Sequence, residues 1–158
     1  MIRIIIPFVL VLSTMMLLSC KPEKPVPEDN PEIHAFLENY YQTFSDRDWE
    51  RFESFFTDQA VLTTIWQSES DSVPVLFIKT ITQFLEQTGS GPDSQPIFEE
   101  RMVESKITVN NGLATAWVDY EAKFGTSENL IEWVGQDLFS LIRHEDRWYI
   151  ASLSYMSQ

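Results

Sequence analysis

Residues 113–124 read Leu-Ala-Thr-Ala-Trp-Val-Asp-Tyr-Glu-Ala-Lys-Phe. Ala114, Ala116, Val118, Tyr120, Ala122 and Phe124 alternate there with Thr115, Trp117, Asp119, Glu121 and Lys123. A period of two over so long a run is a strand with one face against a core. Asn111-Gly112, just before it, tolerates the positive φ of a type I′ turn and predicts a hairpin. Further turns fall at Gly125–Asn129 and His144–Arg147. This punctuation predicts four strands in an antiparallel meander: Phe98–Val109, Leu113–Phe124, Ile131–Arg143 and Trp148–Tyr155. The apolar face of such a sheet needs a cover, and the segments upstream supply one.

Asn30-Pro31 opens a helix, with Asn as N-cap, Pro at the first position and Glu32 in the first turn. Ile33, Phe36, Leu37, Tyr40 and Phe44 then share one helical face ending near Phe44. Asp48 can cap a second short helix on which Trp49, Phe52 and Phe56 align. Ala60–Gln67, β-branched and aromatic, reads as a first strand, and Ser68–Ser72 as a polar loop. Pro74, Phe77, Ile78, Ile81 and Leu85 predict a third helix running to about Thr88, followed by a loop over Gly89–Pro96. Helices segregated before an antiparallel sheet make an α+β arrangement.

The 158 residues carry a formal net charge of −13, which excludes a nucleic-acid partner because no basic surface is left to displace counterions. One domain accounts for the length. Residues 1–19 have Arg3 as a positive start and an apolar run at Ile4–Leu18, the pattern of a secretory signal peptide. That run ends Leu17-Leu18-Ser19-Cys20, which resembles the bacterial lipobox. The resemblance implies cleavage before Cys20 and acylation of its thiol and amine, giving a membrane lipid anchor. Cys20 is the only cysteine, so an internal disulfide is excluded. Several acyl chains, at ~0.8 kcal/mol per buried methylene, hold a domain where one chain does not. Lys21 follows the cysteine instead of the aspartate that retains such lipoproteins in the inner membrane, which implies the outer membrane, facing the periplasm. Residues 20–30 then form the lipidated cysteine and a Pro-rich tether, and residues 31–158 the folded domain.

From Ile33 to the C-terminus the chain resembles the nuclear transport factor 2-like superfamily, and within it the SnoaL-like or lumazine-binding branch. The residues that carry the likeness are Glu99-Glu100-Arg101, Ala114 with Trp117 and Tyr120, Gly135 through Leu141, and Arg147-Trp148-Tyr149-Ile150. Members near this branch often carry His-Cys before the glycine, where Trp133 and Val134 stand here. The resemblance implies a cone-shaped fold, three N-terminal helices on a curved antiparallel sheet, with a pocket inside and sheet faces that form a homodimer. Alternation places Gly135, Asp137, Phe139 and Leu141 on the inner face of their strand, and Trp148, Ile150, Ser152 and Ser154 on that of the last one. Tyr40, Trp66, Tyr120, Asp137, Phe139 and Ser152 are therefore the expected pocket residues, and Trp117 the expected dimer anchor on the outer face.

An aspartate in an apolar pocket is the group best placed for acid–base work, because burial raises its pKa toward neutrality. Ketosteroid isomerase uses aspartates and a tyrosine in such a pocket, and Asp137 beside Tyr40 or Tyr120 is a loose parallel. A structural hydrogen bond to backbone at the end of a turn is the competing role for Asp137, and core packing that for the aromatics. Two histidines, His34 and His144, without a spaced acidic partner set predict no metal site, and no cofactor motif is present. Glu99-Glu100 and Glu145-Asp146 read as solvated edges. Three functions stay open: a non-catalytic, membrane-anchored module holding a small apolar or aromatic ligand; a small isomerase, dehydratase or hydrolase using Asp137 and a tyrosine; and a structural envelope partner with its pocket plugged by aromatics.

Because acylation needs the thiol, Cys20→Ser is expected to abolish incorporation of labelled palmitate and to leave the precursor uncleaved, with residues 1–19 still attached in its intact mass. Equal labelling and processing of the two proteins would rule out the lipid anchor.

Overall fold

The computed structural model describes residues 30–67 and 72–158. The signal segment, Cys20, the tether up to Asp29 and most of the loop after Gln67 lie outside them. Helix α1 (Pro31–Asp46) is followed by α2 (Trp49–Glu53), strands β1 (Phe56–Trp66) and β2 (Val75–Thr80), and the short helix α3 (Ile81–Leu85). Two single 3₁₀ turns then lead into β3 (Ile97–Asn110), β4 (Leu113–Gly125), β5 (Leu130–His144) and β6 (Arg147–Ser157). All six strands form one curved sheet in the order β2-β1-β6-β5-β4-β3. Pairing is antiparallel throughout except between β1 and β6, which run parallel.

Local chemistry sets the limits of α1. The Asn30 side chain accepts from the Ile33 N–H at 3.0 Å, satisfying one of the free donors of the first turn. The helix runs two residues beyond Phe44, because Arg47 takes the left-handed conformation (φ 57°) and its N–H closes on the Phe44 carbonyl. Arg47 is held there by its guanidinium, which donates to the Gln95 carbonyl at 2.8 Å and lies over the Phe98 ring. Ser45, one residue from the end, ties α1 to the sheet twice. Its hydroxyl donates to the Glu100 carbonyl and accepts from the Glu100 N–H, both at 2.8 Å.

The meander stands where the alternation puts it, but the third helix does not. Val75–Thr80 pairs antiparallel with β1, from Val61 opposite Thr80 to Trp66 opposite Val75. The run Val-Leu-Phe-Ile is as good a strand as a helix, and β1 offers it a ladder. Helix begins only at Thr80, whose hydroxyl accepts from the Gln83 N–H while the Gln83 side chain accepts from the Thr80 N–H. Phe56 likewise belongs to β1 and not to the second helix.

Two bulges reset which residues face inward. In β3 Met102 pairs with Tyr120 and Glu104 with Asp119, leaving Val103 without a partner. In β6 Ile150 pairs with Leu141 and Ser152 with Ser140, leaving Ala151 over. One extra residue moves every later side chain to the opposite face. Trp148 and Ile150 therefore point inward as expected, but Ser152 and Ser154 do not, and Leu153 and Tyr155 take their places.

Gly135 lies directly opposite Tyr120 in the β4–β5 ladder, and the Tyr120 ring crosses over it. A Cβ at Gly135 would overlap the end of that ring and crowd the Met156 carbonyl. Gly135→Ala is expected to cost about 1–3 kcal/mol by overpacking, read by urea unfolding, with a loss of near-ultraviolet tyrosine dichroism as Tyr120 is displaced. An unchanged unfolding midpoint would mean that the ring does not lie there.

Candidate functional site

A cavity of about 80 Å³ lies between α1 and the concave face of the sheet. Tyr40 and Phe44 of α1, Phe52 of α2 and Phe84 of α3 close it on the helical side. Leu62, Glu100, Tyr120, Asp137, Leu153 and Tyr155 line it from five strands. The register explains the grouping, since Asp137 stands between Val118 on β4 and Tyr155 on β6, and Tyr120 is one inward position along from Val118.

Asp137 is 4% exposed. Its Oδ2 accepts from the Tyr41 hydroxyl at 2.5 Å, and this is the only protein hydrogen bond to its side chain among the described residues. Burial pushes the carboxyl from its ordinary value of 3.8 up to about 7, the Tyr41 hydroxyl pulling the other way. Desolvation therefore outweighs a charge-assisted hydrogen bond. Glu100, half-buried across the cavity, is also held well above the usual carboxylate range, first by burial and then by the neighbouring Asp137. Tyr40, Tyr41, Tyr120 and Tyr155 are all pushed upward, mainly by burial and with the two carboxylates adding to it, so none is a phenolate near neutrality. The site thus combines two reluctant acids with phenol groups that act only as neutral hydrogen-bond donors or acceptors.

Of the residues expected in the pocket, Tyr40, Tyr120 and Asp137 line the cavity. Phe139 is fully buried behind them, its ring 5.2 Å from that of Tyr40. Trp66 is 52% exposed near the β1–β2 turn, beyond the end of the cone, so it does not line the cavity. Ser152 is turned away by the Ala151 bulge. Trp117 projects from the outer face, 53% exposed.

Three site residues lie outside those expectations. Glu100 was expected on a solvated edge, but it shares an inward face with Phe98 and Met102, an alternation already present in the sequence. Tyr41 extends the stripe Ile33, Leu37, Tyr41 at intervals of four, beside the one that includes Tyr40. Tyr155 becomes inward only through the bulge, for which the sequence carries no plain signal. A larger surface cleft of about 390 Å³ lies on the other side of Glu100. Its charges are largely paired and solvated, as in Arg101 with Glu121 and Lys123 with Glu132, so the unusual electrostatics belong to the small cavity.

Among solved structures, the fold is similar to the β subunit of benzoate 1,2-dioxygenase from Burkholderia mallei, at 12% identity and a TM-score of 0.65, covering 82% of this chain and 91% of that one. It is also similar to a nuclear transport factor 2-like protein of unknown function from Pseudomonas putida, at 13% identity and a TM-score of 0.64, covering 81% and 85%. A third such protein, from Shewanella baltica, is 18% identical with a TM-score of 0.59, covering 81% and 92%. At these identities the likeness establishes the fold. A search of curated proteins finds no match. The family described as "Putative lumazine-binding" matches residues 28–156. By that match, and by a fold shared with nuclear transport factor 2-like proteins, the chain belongs to this lumazine-binding family of the superfamily.

Proposed function

We propose that the protein is a membrane-anchored lipoprotein of the cell envelope whose domain binds a small molecule, without turning it over, in the cone between α1 and the sheet. The observation that carries this is Asp137: a buried carboxyl with one hydrogen bond, lining a cavity rather than packed against protein. Buried charge that only supported the fold would be paired or fully hydrogen-bonded. The family description points to lumazine, a fused bicyclic ring. A cavity of about 80 Å³ is small beside the roughly 300–1,000 Å³ of drug-sized ligand sites. A bicyclic ligand therefore requires movement, and Phe84 on the short helix α3 and Tyr155 on β6 are the wall aromatics that are only partly buried.

The Tyr41–Asp137 contact favours a second reading, an isomerase, dehydratase or hydrolase. With a pKa of about 7 Asp137 is suited to a general base, and Tyr41 to a hydrogen-bond donor. Besides the two carboxyls the cavity offers only phenols as polar groups, and they would serve this reading as hydrogen-bond donors.

The outer face suggests a homodimer. Trp117 stands there with Lys106, Glu104 and Asp119 around it, so two copies related by a two-fold axis can pair acid with base around a central tryptophan. Trp117→Ala is expected to shift the full chain toward monomer in sedimentation with its circular dichroism unchanged. A wild-type protein that already sediments as a monomer would remove the dimer.

The pH dependence of stability tests the buried acid. A carboxyl raised from 3.8 to about 7 in the fold favours its neutral form. Its penalty is absent below the unfolded pKa, grows as pH rises between the two values, and is complete above the folded one; the gap corresponds to about 4 kcal/mol. Asp137→Asn keeps the shape and the acceptor for Tyr41 while removing that charge. The variant is expected to melt several degrees higher than wild type at pH 8, and level with it or lower at pH 4.5. A variant less stable at pH 8 would make Asp137 a structural ion and overturn the site.

A further inference from the structure

The inference rests on the ligand-binding reading above and names the chemistry of what is bound: we infer that the cavity holds the ammonium head of a small organic cation, with Asp137 and Glu100 as counter-charges and the surrounding rings as its cage. Three observations converge on this. No lysine, arginine or histidine lines the cavity, so its two carboxyls have no basic partner there. Several bases elsewhere in the domain are engaged with surface acids, as in Arg101 with Glu121, Lys123 with Glu132 and Arg143 with Glu32. Asp137 keeps its Oδ1 without a protein donor among the described residues, while the residue is almost wholly buried.

The rest of the wall is aromatic. Phe44, Phe52 and Phe84 on the helices face Tyr120 and Tyr155 on the sheet. Ring faces attract a cation without hydrogen-bonding it, and more strongly where the site is desolvated. A neutral polar ligand gains little from such a wall. A compact alkylammonium gains from rings and carboxylates together, and its size suits a cavity too small for a fused-ring ligand. The titratable groups facing Asp137 are Tyr40 and Tyr41 from α1, Glu100 from β3, Tyr120 from β4 and Tyr155 from β6, while α2 and α3 contribute phenylalanines only. Each carboxylate opposes ionisation of its neighbour, and a cation between them reverses that repulsion. Binding therefore draws the pair into its charged form and releases protons at neutral pH.

Choline and its uncharged isostere 3,3-dimethylbutan-1-ol, titrated calorimetrically into the full chain in detergent micelles, test this. At pH 8 choline is expected to bind about tenfold or more tightly than the alcohol, and at pH 5.5, where Asp137 is protonated, the preference should shrink toward unity. Glu100→Gln and Asp137→Asn should each bring the ratio of choline to alcohol affinity most of the way to unity. Choline binding that survives both substitutions, or survives the cavity-filling Leu153→Trp, places the cation elsewhere and overturns the assignment. Equal or tighter binding of the alcohol at pH 8, lost in Leu153→Trp, overturns the cation and leaves the ligand site standing. Absence of binding by either probe, with Leu153→Trp raising the melting temperature, makes the cavity a packing gap and overturns both.

Discussion

The ring of Tyr40 packs against six other aromatic rings, more than any other ring among the described residues, and the core is arranged around it. Its centroid lies 5.1–6.1 Å from those of Tyr41, Phe44, Phe52, Phe55, Phe56 and Phe139. Most of these pairs are edge-to-face, the arrangement that aromatic quadrupoles prefer, each worth about 0.5–1.5 kcal/mol beyond area burial. They join α1 and α2 to β1 and β5, which are not neighbours in the sheet. Three rings of this cluster, Tyr40, Phe44 and Phe52, also form the helical wall of the cavity, facing Glu100 and Asp137 on the sheet.

That arrangement sets up a conflict of forces at Asp137. The backbone register puts it on the inner face between Phe139 and Gly135, where desolvation opposes its charge. Tyr41 supplies one short hydrogen bond, and Gly135 supplies the space for Tyr120 to stand alongside. The net effect still favours the neutral acid. A chain under pressure only for stability loses little by placing an asparagine at this position, which keeps an acceptor for Tyr41. Retaining the acid costs the fold something at neutral pH, and an occupant of the cavity is the simplest way to offset it.

Much of this was legible in the residues themselves. Alternation over Leu113–Phe124 and the Asn-Gly turn located the meander, and the same rule placed Asp137 inward. The helical face of Ile33 to Phe44 put Tyr40 against it. The failures have physical causes. Val75–Ile78 satisfies both a helical and an extended pattern, and only the presence of β1 as a hydrogen-bonding partner decides between them. Trp66 obeys the alternation of β1, yet its strand outruns the cone, so facing inward there means facing solvent. Glu100 was discounted because a charged pair usually marks a surface, although its spacing from Phe98 and Met102 gave the opposite indication.

The single residue left over at Ala151 divides β6 in two. Upstream of it, β6 contributes to the floor of the core; downstream, it contributes to the wall of the cavity, and the two halves are out of frame with each other. Straightening the strand so that Ala151 pairs with Ser140 would bring Ser152 and Ser154 to the wall and turn Leu153 and Tyr155 outward, exchanging an oily, phenolic lining for a hydroxylated one. Deleting Ala151 would instead remove the bulge and leave Leu153 and Tyr155 facing inward. What the cavity presents is therefore decided by whether β6 keeps its extra residue unpaired, and not only by which residues follow it.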